Sequence, residues 1–166
     1  MGNSSVFALE TSEFLTEDAV NQFNVKVVPA GTVIVSFKLT VGRVLITPSR
    51  MLTNEAIAHF IPLQDSIPTS YSFCLFSNFD FRSLGSTSSI ATAVNSKILR
   101  EMTILDPPHK FKKAFDHLSN PLFQKIKQNL NESKSLEELK NSLLPKLISG
   151  ELKIPDAKQL IEKVGT

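Results

Sequence analysis

The sequence predicts an α/β chain, in which a mixed, twisted sheet is followed by a long C-terminal helix with a helical-hairpin or coiled-coil pairing surface. Three observations predict it. Short runs rich in Val, Ile and Phe, broken by Pro and Gly, fill the chain as far as "DPPHK", Asp106 to Lys110. Beyond Pro108 the apolar residues switch to a spacing of three and four. The resulting stripe is longer than the body it could pack against. The expected organisation is a body over 1–108, a helical region over 109–152 and a tail over 153–166.

Taken in order, "NVKVV", "TVIVSF" and "VGRVLI" read as strands, with Pro29-Ala30-Gly31 a tight turn between the first two. "NEAIAHFIP" is a further strand ended by Pro62. "PTSYSFCLFSNF" suits a buried helix or a strand pair, with the helix preferred. "AVNSKILREM" is a short helix leading into "TILDPP", a last strand closed by two prolines. After it, Phe111, Phe115, Leu118, Leu122 and Ile126 fall on one helical face, and Leu136, Leu139, Leu143 and Leu147 resume the stripe. Between them "NLNESKS" leaves two readings open. One is a continuous or slightly bent helix, about 40 Å from Leu118 to Leu144. The other is a new helix capped by Ser135, with Glu138 completing a capping box. Pro145 is expected to end or kink the helix near Leu144, because the residue before a proline avoids the helical region. "PKLIS" would then form a short turn that Gly150 stops, swinging Leu147 and Ile148 off the main axis.

Composition narrows the function. At 166 residues and 42% apolar content the chain suits one globular domain with an appendage. No apolar stretch reaches the roughly 20 residues that span a bilayer, so no membrane is expected as a partner. Cys74 is the single cysteine, which fits a reducing, cytoplasmic setting and an inert thiol. The start "MGNSSV" places Val6 where a myristoylation signal wants Ser or Thr. The chain carries seven Lys/Arg against eight Asp/Glu up to Leu105 and eleven against eight from Asp106. A body that leans acidic argues against unaided nucleic-acid binding.

Catalytic signatures are lacking. There is no glycine-rich phosphate loop, and His59, His109 and His117 show no metal-ligand spacing with each other or with Cys74. His59 reads as a core or strand-face residue and His109 as exposed. No cofactor, metal or catalytic residue is assigned, and the chain is not expected to be an enzyme. Two polar segments stand out instead. "SFKLTVGR" carries Lys38, Thr40 and Arg43 around a strand-to-strand bend. "FRSLGSTSSIAT" is dense in Ser, Thr and Gly, with Arg82 at its edge. Hydroxyls, amides at a glycine turn and a few cations are the groups that contact phosphates and base edges, although an ordinary Ser-rich surface loop has the same composition.

In this order the segments resemble the specificity subunit of type I restriction–modification systems, from about Thr11 to Leu152. "VVPAGTVIVSFKLTVGRVLI" resembles the strand-turn-strand of the family's target recognition domain, and "LTNEAIAHFIP" the segment after it. "LGSTSSIATAVNSKILREMTILDPP" resembles its Gly-Ser-Thr loop, short helix and proline-closed strand. "SLEELKNSLLPKLISGEL" resembles the end of its spacer helix, which makes the proline the stop of a molecular ruler. The resemblance implies a body that reads one half of a split target in double-stranded DNA. It also implies a helix that docks methyltransferase subunits and, through them, restriction subunits, which would carry the chemistry. Lys38, Thr40, Arg43, Arg82, Ser86, Thr87 and Ser88 are the expected DNA contacts. Leu122, Ile126, Leu136, Leu139, Leu143 and Leu147 are the expected partner surface. The chain departs from the full-length pattern. It has one recognition domain and one spacer helix, no visible opening strands, "HKFKKAF" where relatives often place Gln, and Ser88 and Ser89 after the Gly-Ser-Thr loop. It is therefore expected to be a half-subunit or a truncated form. The competing expectation is an interaction protein that homodimerises through the helix or sequesters partners without reading DNA.

Overall fold

The computed structural model describes residues 5–9, 11, 13–23, 25–38, 40–62, 67–84 and 94–154, with the side chain of residue 82 left out. The elements run α1 Glu17–Gln22, β1 Val27–Val28, β2 Val33–Ser36, β3 Val44–Ile46, β4 Met51–Leu52, β5 Ile57–Phe60, α2 Thr69–Ser77, α3 Ser96–Glu101 and α4 His109–Ile148, with a short 3-10 turn at Phe81–Leu84. They fall into two units, Met1–Gln124 and Lys125–Thr166.

In the first unit, β2 is the middle strand of the order β3-β2-β5, antiparallel on both sides. Phe7 adds a parallel bridge to Ile46, so the ladder is mixed. β1 and β4 form a separate antiparallel pair. All four residues of β2 are buried, as expected of a β-branched strand covered on both faces. Successive side chains alternate between faces. Ile34 joins Ala8, Val28 and Leu45 in one cluster, with Met51 and Ile57 packed against it. α2 packs over β2 and β3. Below it Phe76 stacks at a tilt on Phe60, centroids 4.1 Å apart, and Phe81 meets both Phe76 and Phe79. In a chain without Trp, phenylalanines thus supply the aromatic packing beneath α2.

The turn before β2 is closed by polar groups. Thr47 Oγ1 accepts from the Thr32 amide at 2.9 Å and donates to the Pro29 carbonyl at 2.7 Å. The Gly31 amide donates to the Thr47 carbonyl, with Gly31 at φ +75. The expected Pro-Ala-Gly turn is therefore present, pinned by a threonine sixteen residues on from Gly31. α1 is an element the strand reading passed over. Its signal is local: Thr16 caps it by accepting from the Ala19 amide, and Glu17 and Asp18 occupy its first turn.

Two expectations are corrected. "TILDPP" is not a strand, since residues 103–108 lie outside any ladder. Two prolines lack the amides a ladder needs, and the segment is held by side chains instead: the Tyr71 hydroxyl donates to the Leu105 carbonyl and Lys112 pairs with Asp106 at 2.9 Å. Nor does Pro145 end α4. The helix runs to Ile148 with no break at Ser135, which settles the open choice in favour of one helix. Proline forgoes one donor, but the flanking turns continue, with the Ser149 amide still reaching the Pro145 carbonyl at 2.9 Å. The stop is Gly150 at φ +74, where the Leu152 amide folds back onto the Lys146 carbonyl. Leu147 and Ile148 stay on the helix.

Replacing Thr47 by Val keeps its volume and removes the acceptor of a fully buried amide. A loss of about 1–3 kcal/mol is expected, read as a lower midpoint in urea unfolding with the slope unchanged.

Candidate nucleic-acid interface

The link between β2 and β3 is organised by one hydroxyl. Ser36 Oγ donates to the Thr40 carbonyl and accepts from Thr40 Oγ1 and from the Arg43 amide, each at 3.3 Å. The backbone closes around it, the Ser36 amide donating to the Arg43 carbonyl at 3.0 Å and the Gly42 amide to the Ser36 carbonyl at 2.9 Å. Gly42 holds φ +85, and a Cβ there would stand 3.4 Å from Phe81 Cδ2. The glycine therefore serves both a left-handed turn and a close approach to a buried ring.

That approach brings two of the candidate segments together. Phe81 opens the 3-10 turn that contains Arg82, so the hairpin end carrying Lys38, Thr40 and Arg43 packs beside it. Thr40 is exposed and Arg43 is half-buried. Lys38 is exposed and pairs with Glu55, Nζ to Oε1 at 3.3 Å. Arg82 stands on the 3-10 turn, and its side chain lies outside what is described. Ser86, Thr87 and Ser88 lie outside the described residues.

The helical candidates divide between the units. In the first, α4 docks on α2 through a polar patch: Ser70 Oγ donates to Asp116 Oδ1 at 3.1 Å, and Ser119 Oγ lies 2.9 Å from Ser70 Oγ. Edge-to-face pairs flank it, Tyr71 with Phe115 and Phe73 with Phe123. The residues of α4 that meet α2 are thus Phe115, Asp116, Ser119 and Phe123, with the buried Lys112 one turn earlier paired to Asp106. Phe111, Leu118 and Leu122 of the expected stripe remain exposed, at 57%, 73% and 65%. In the second unit Ile126 and Leu136 are exposed, whereas Leu139, Leu143 and Leu147 are half-buried.

The model of the type I restriction modification DNA specificity domain matches residues 2–141. The chain belongs to this family. It is 26% identical over 154 residues to the specificity subunit of the type I restriction enzyme HindI of Haemophilus influenzae, covering 90% of this chain and 33% of that protein. It is also 26% identical over 156 residues to the MjaIX specificity subunit of Methanocaldococcus jannaschii, covering 89% of this chain and 35% of that one. The chain thus spans about a third of the length of the curated relatives it matches.

Within a specificity-domain chain, sequence reasoning missed the residues that work as pairs across long separations. Glu55 is one, seventeen residues from Lys38 and visible only once the strands are in register. The Ser70–Asp116–Ser119 patch is another, for which the four-residue spacing of Phe115, Ser119 and Phe123 was the available signal. Among the described residues no group of His, Cys, Asp and Glu could hold a metal ion, and no helix is long and apolar enough to cross a membrane. Cys74 is half-buried, and burial raises its thiol above the ordinary value.

His59 sits on β5 opposite Ile34, with Nε2 2.6 Å from Thr53 Oγ1. Burial first, then the positive charge of Lys26, lowers its pKa below the ordinary 6.5. The unfolded chain therefore takes up its proton before the folded one does. Stability tied to neutral His59 is complete above pH 6.5 and is lost as pH falls through the lowered folded value. Melting temperature is expected to drop between pH 7 and pH 5, and to drop less in His59→Gln.

Proposed function

We propose that this chain is a non-catalytic DNA-reading module that recognises one half of a split target and docks methyltransferase subunits, and through them restriction subunits, along α4. The reading rests on the hairpin end of β2 and β3, where a strand buried on both faces carries Lys38, Thr40 and Arg43 to the surface beside the Phe81–Leu84 turn. The cations would clamp phosphates and the hydroxyls would bond phosphates or base edges, with Arg82, Ser86, Thr87 and Ser88 completing the set. Membership of a DNA specificity family supports this over a generic Ser-rich surface. The acidic lean of the body fits a module whose partners supply much of the positive surface around DNA. The reducing cytoplasm is the matching compartment, since DNA and methyltransferase partners reside there.

The domain plan belongs to the same proposal: a recognition body over 1–108, a spacer helix over 109–152 and a tail over 153–166. The exposed Phe111, Leu118 and Leu122 support docking on α4, because large apolar side chains in water are stabilised by a partner that covers them. Leu122, Ile126, Leu136, Leu139, Leu143 and Leu147 would form the seam, against a methyltransferase subunit or, in a homodimer, against their own copies.

Co-expression with a cognate methyltransferase subunit, followed by mapping of modified adenines, tests the reading. A split or palindromic motif is the expected result; absence of new methylation favours a protein that only binds partners. Arg43→Ala and Arg82→Ala are each expected to weaken duplex binding on all sequences alike and to flatten the slope of log affinity against log salt by about one. Unchanged affinity and slope would remove both residues from the contact set. Leu136→Lys with Leu143→Lys is expected to lower the mass of the partner complex in light scattering while leaving the helical circular dichroism in place.

A further inference from the structure

The register of β2 against β5 continues past the strand ends. Ser36 lies opposite Ile57, and the Phe37 amide donates to the Ala56 carbonyl at 3.0 Å. The next pair in that register is Lys38 and Glu55, whose charged atoms stand 3.3 Å apart. The turn that carries Glu55 is tied down in turn. Asn54 Oδ1 accepts from the Ala56 amide at 3.0 Å, and the Asn54 carbonyl accepts from the Ile57 amide at 3.3 Å. Backbone bonding therefore sets the carboxylate across from the lysine, and both side chains face solvent, at 46% and 83% exposure.

Its own backbone amide and then Lys38 hold the Glu55 carboxyl below the ordinary carboxylate value, so it is ionised at neutral pH. The result is a cation of the DNA-facing hairpin already occupied by a fixed acid. Exposed ion pairs of this kind are weak and screened by salt, so either partner is readily exchanged. A DNA phosphate offers Lys38 an equivalent anion and adds the release of condensed counterions.

We propose that Glu55 is a resident counter-ion that Lys38 exchanges for a DNA phosphate, which makes Glu55 a determinant of specificity by weakening binding to non-target duplex. The proposal rests on the DNA-reading function put forward above. In the free chain Glu55 neutralises Lys38. On DNA it is left beside a polyanion, and the repulsion is relieved only where a base-edge donor, such as the cytosine or adenine amino group in the major groove, meets the carboxylate. Specificity is a difference of affinities, and a penalty applied to non-target sequences raises it.

The test uses the full chain and a random-sequence duplex, with fluorescence anisotropy across a salt series. Glu55→Gln is expected to bind about three- to tenfold tighter, with a slope steeper by about one phosphate equivalent. Lys38→Ala placed on Glu55→Gln is expected to cancel the gain. An unchanged Glu55→Gln affinity, with salt-dependent binding intact, overturns the exchange and leaves DNA reading standing. A gain that survives Lys38→Ala also overturns it, because the acid would then act through the general field and not through Lys38. If neither the parent nor any variant binds duplex in a salt-dependent way, DNA reading itself falls and the exchange falls with it.

Discussion

Strand β2 is the constraint on which the first unit depends. Its four residues are buried and both of its edges are occupied. A buried amide or carbonyl without a partner costs about as much as a lost hydrogen bond, so each must be satisfied within the protein. β3 and β5 satisfy them in one register each, Val33 opposite both Ile46 and Phe60. A slip of one residue would turn Ile34 out of the Ala8, Val28 and Leu45 cluster and reverse the faces of the strand. Burial thus fixes register, and register decides what stands opposite Lys38.

The two ends of β2 then do different work. At its start the threonines close the turn, and Thr69 at the head of α2 donates to the Gly31 carbonyl at 2.8 Å. The next residue on α2, Ser70, contacts Asp116 and Ser119 of α4, so a short hydrogen-bonded path leads from the sheet to the long helix. At its other end Ser36 spends its hydroxyl and backbone on the hairpin that holds Lys38 and Arg43. Buried polar groups are satisfied at both ends of the strand, and among the described residues no buried side-chain polar atom lacks a partner. The hairpin end that carries Lys38 and Arg43 therefore stands on a hydrogen-bonded base.

Much of this was legible in the sequence. β-branched runs between Pro and Gly mark β1, β2, β3 and β5, most plainly the fully buried β2, where nothing polar interrupts the apolar run before Ser36. The three-and-four spacing marks α4 for a different reason, because apolar residues at that period stand out against an otherwise polar and exposed helix. What escaped was set by pairing. "TILDPP" has strand composition, yet among the described residues it pairs with no strand, and composition cannot supply a pairing. Pro145 reads as a stop because its local penalty of roughly 3 kcal/mol is the one a sequence displays. The rest of a 40-residue helix outweighs it, and Gly150, with a conformation L residues avoid, provides the actual end. The candidate site was half legible: residue types marked the β2–β3 hairpin, whereas Glu55 needed the register and Ser86, Thr87 and Ser88 lie outside the described residues.

The docking of α4 uses only part of its apolar stripe. Helical spacing marks Phe111, Phe115, Leu118 and Leu122 as one face, yet of these only Phe115 meets α2, beside Asp116, Ser119 and Phe123, while the other three stay exposed. A serine at the centre lets the two helices approach closely, with aromatic rings flanking the contact and a lysine covered at its edge and paired with Asp106. Had the unit needed only its own stability, Leu118 and Leu122 would be the better residues to bury, each worth about 1.5–3 kcal/mol. Leaving them in water while burying a lysine and a serine is costly for an isolated fold. That pattern supports the proposal that α4 docks another protein. Which face docks inward therefore bears on the proposed docking role more directly than the apolar periodicity of the helix does.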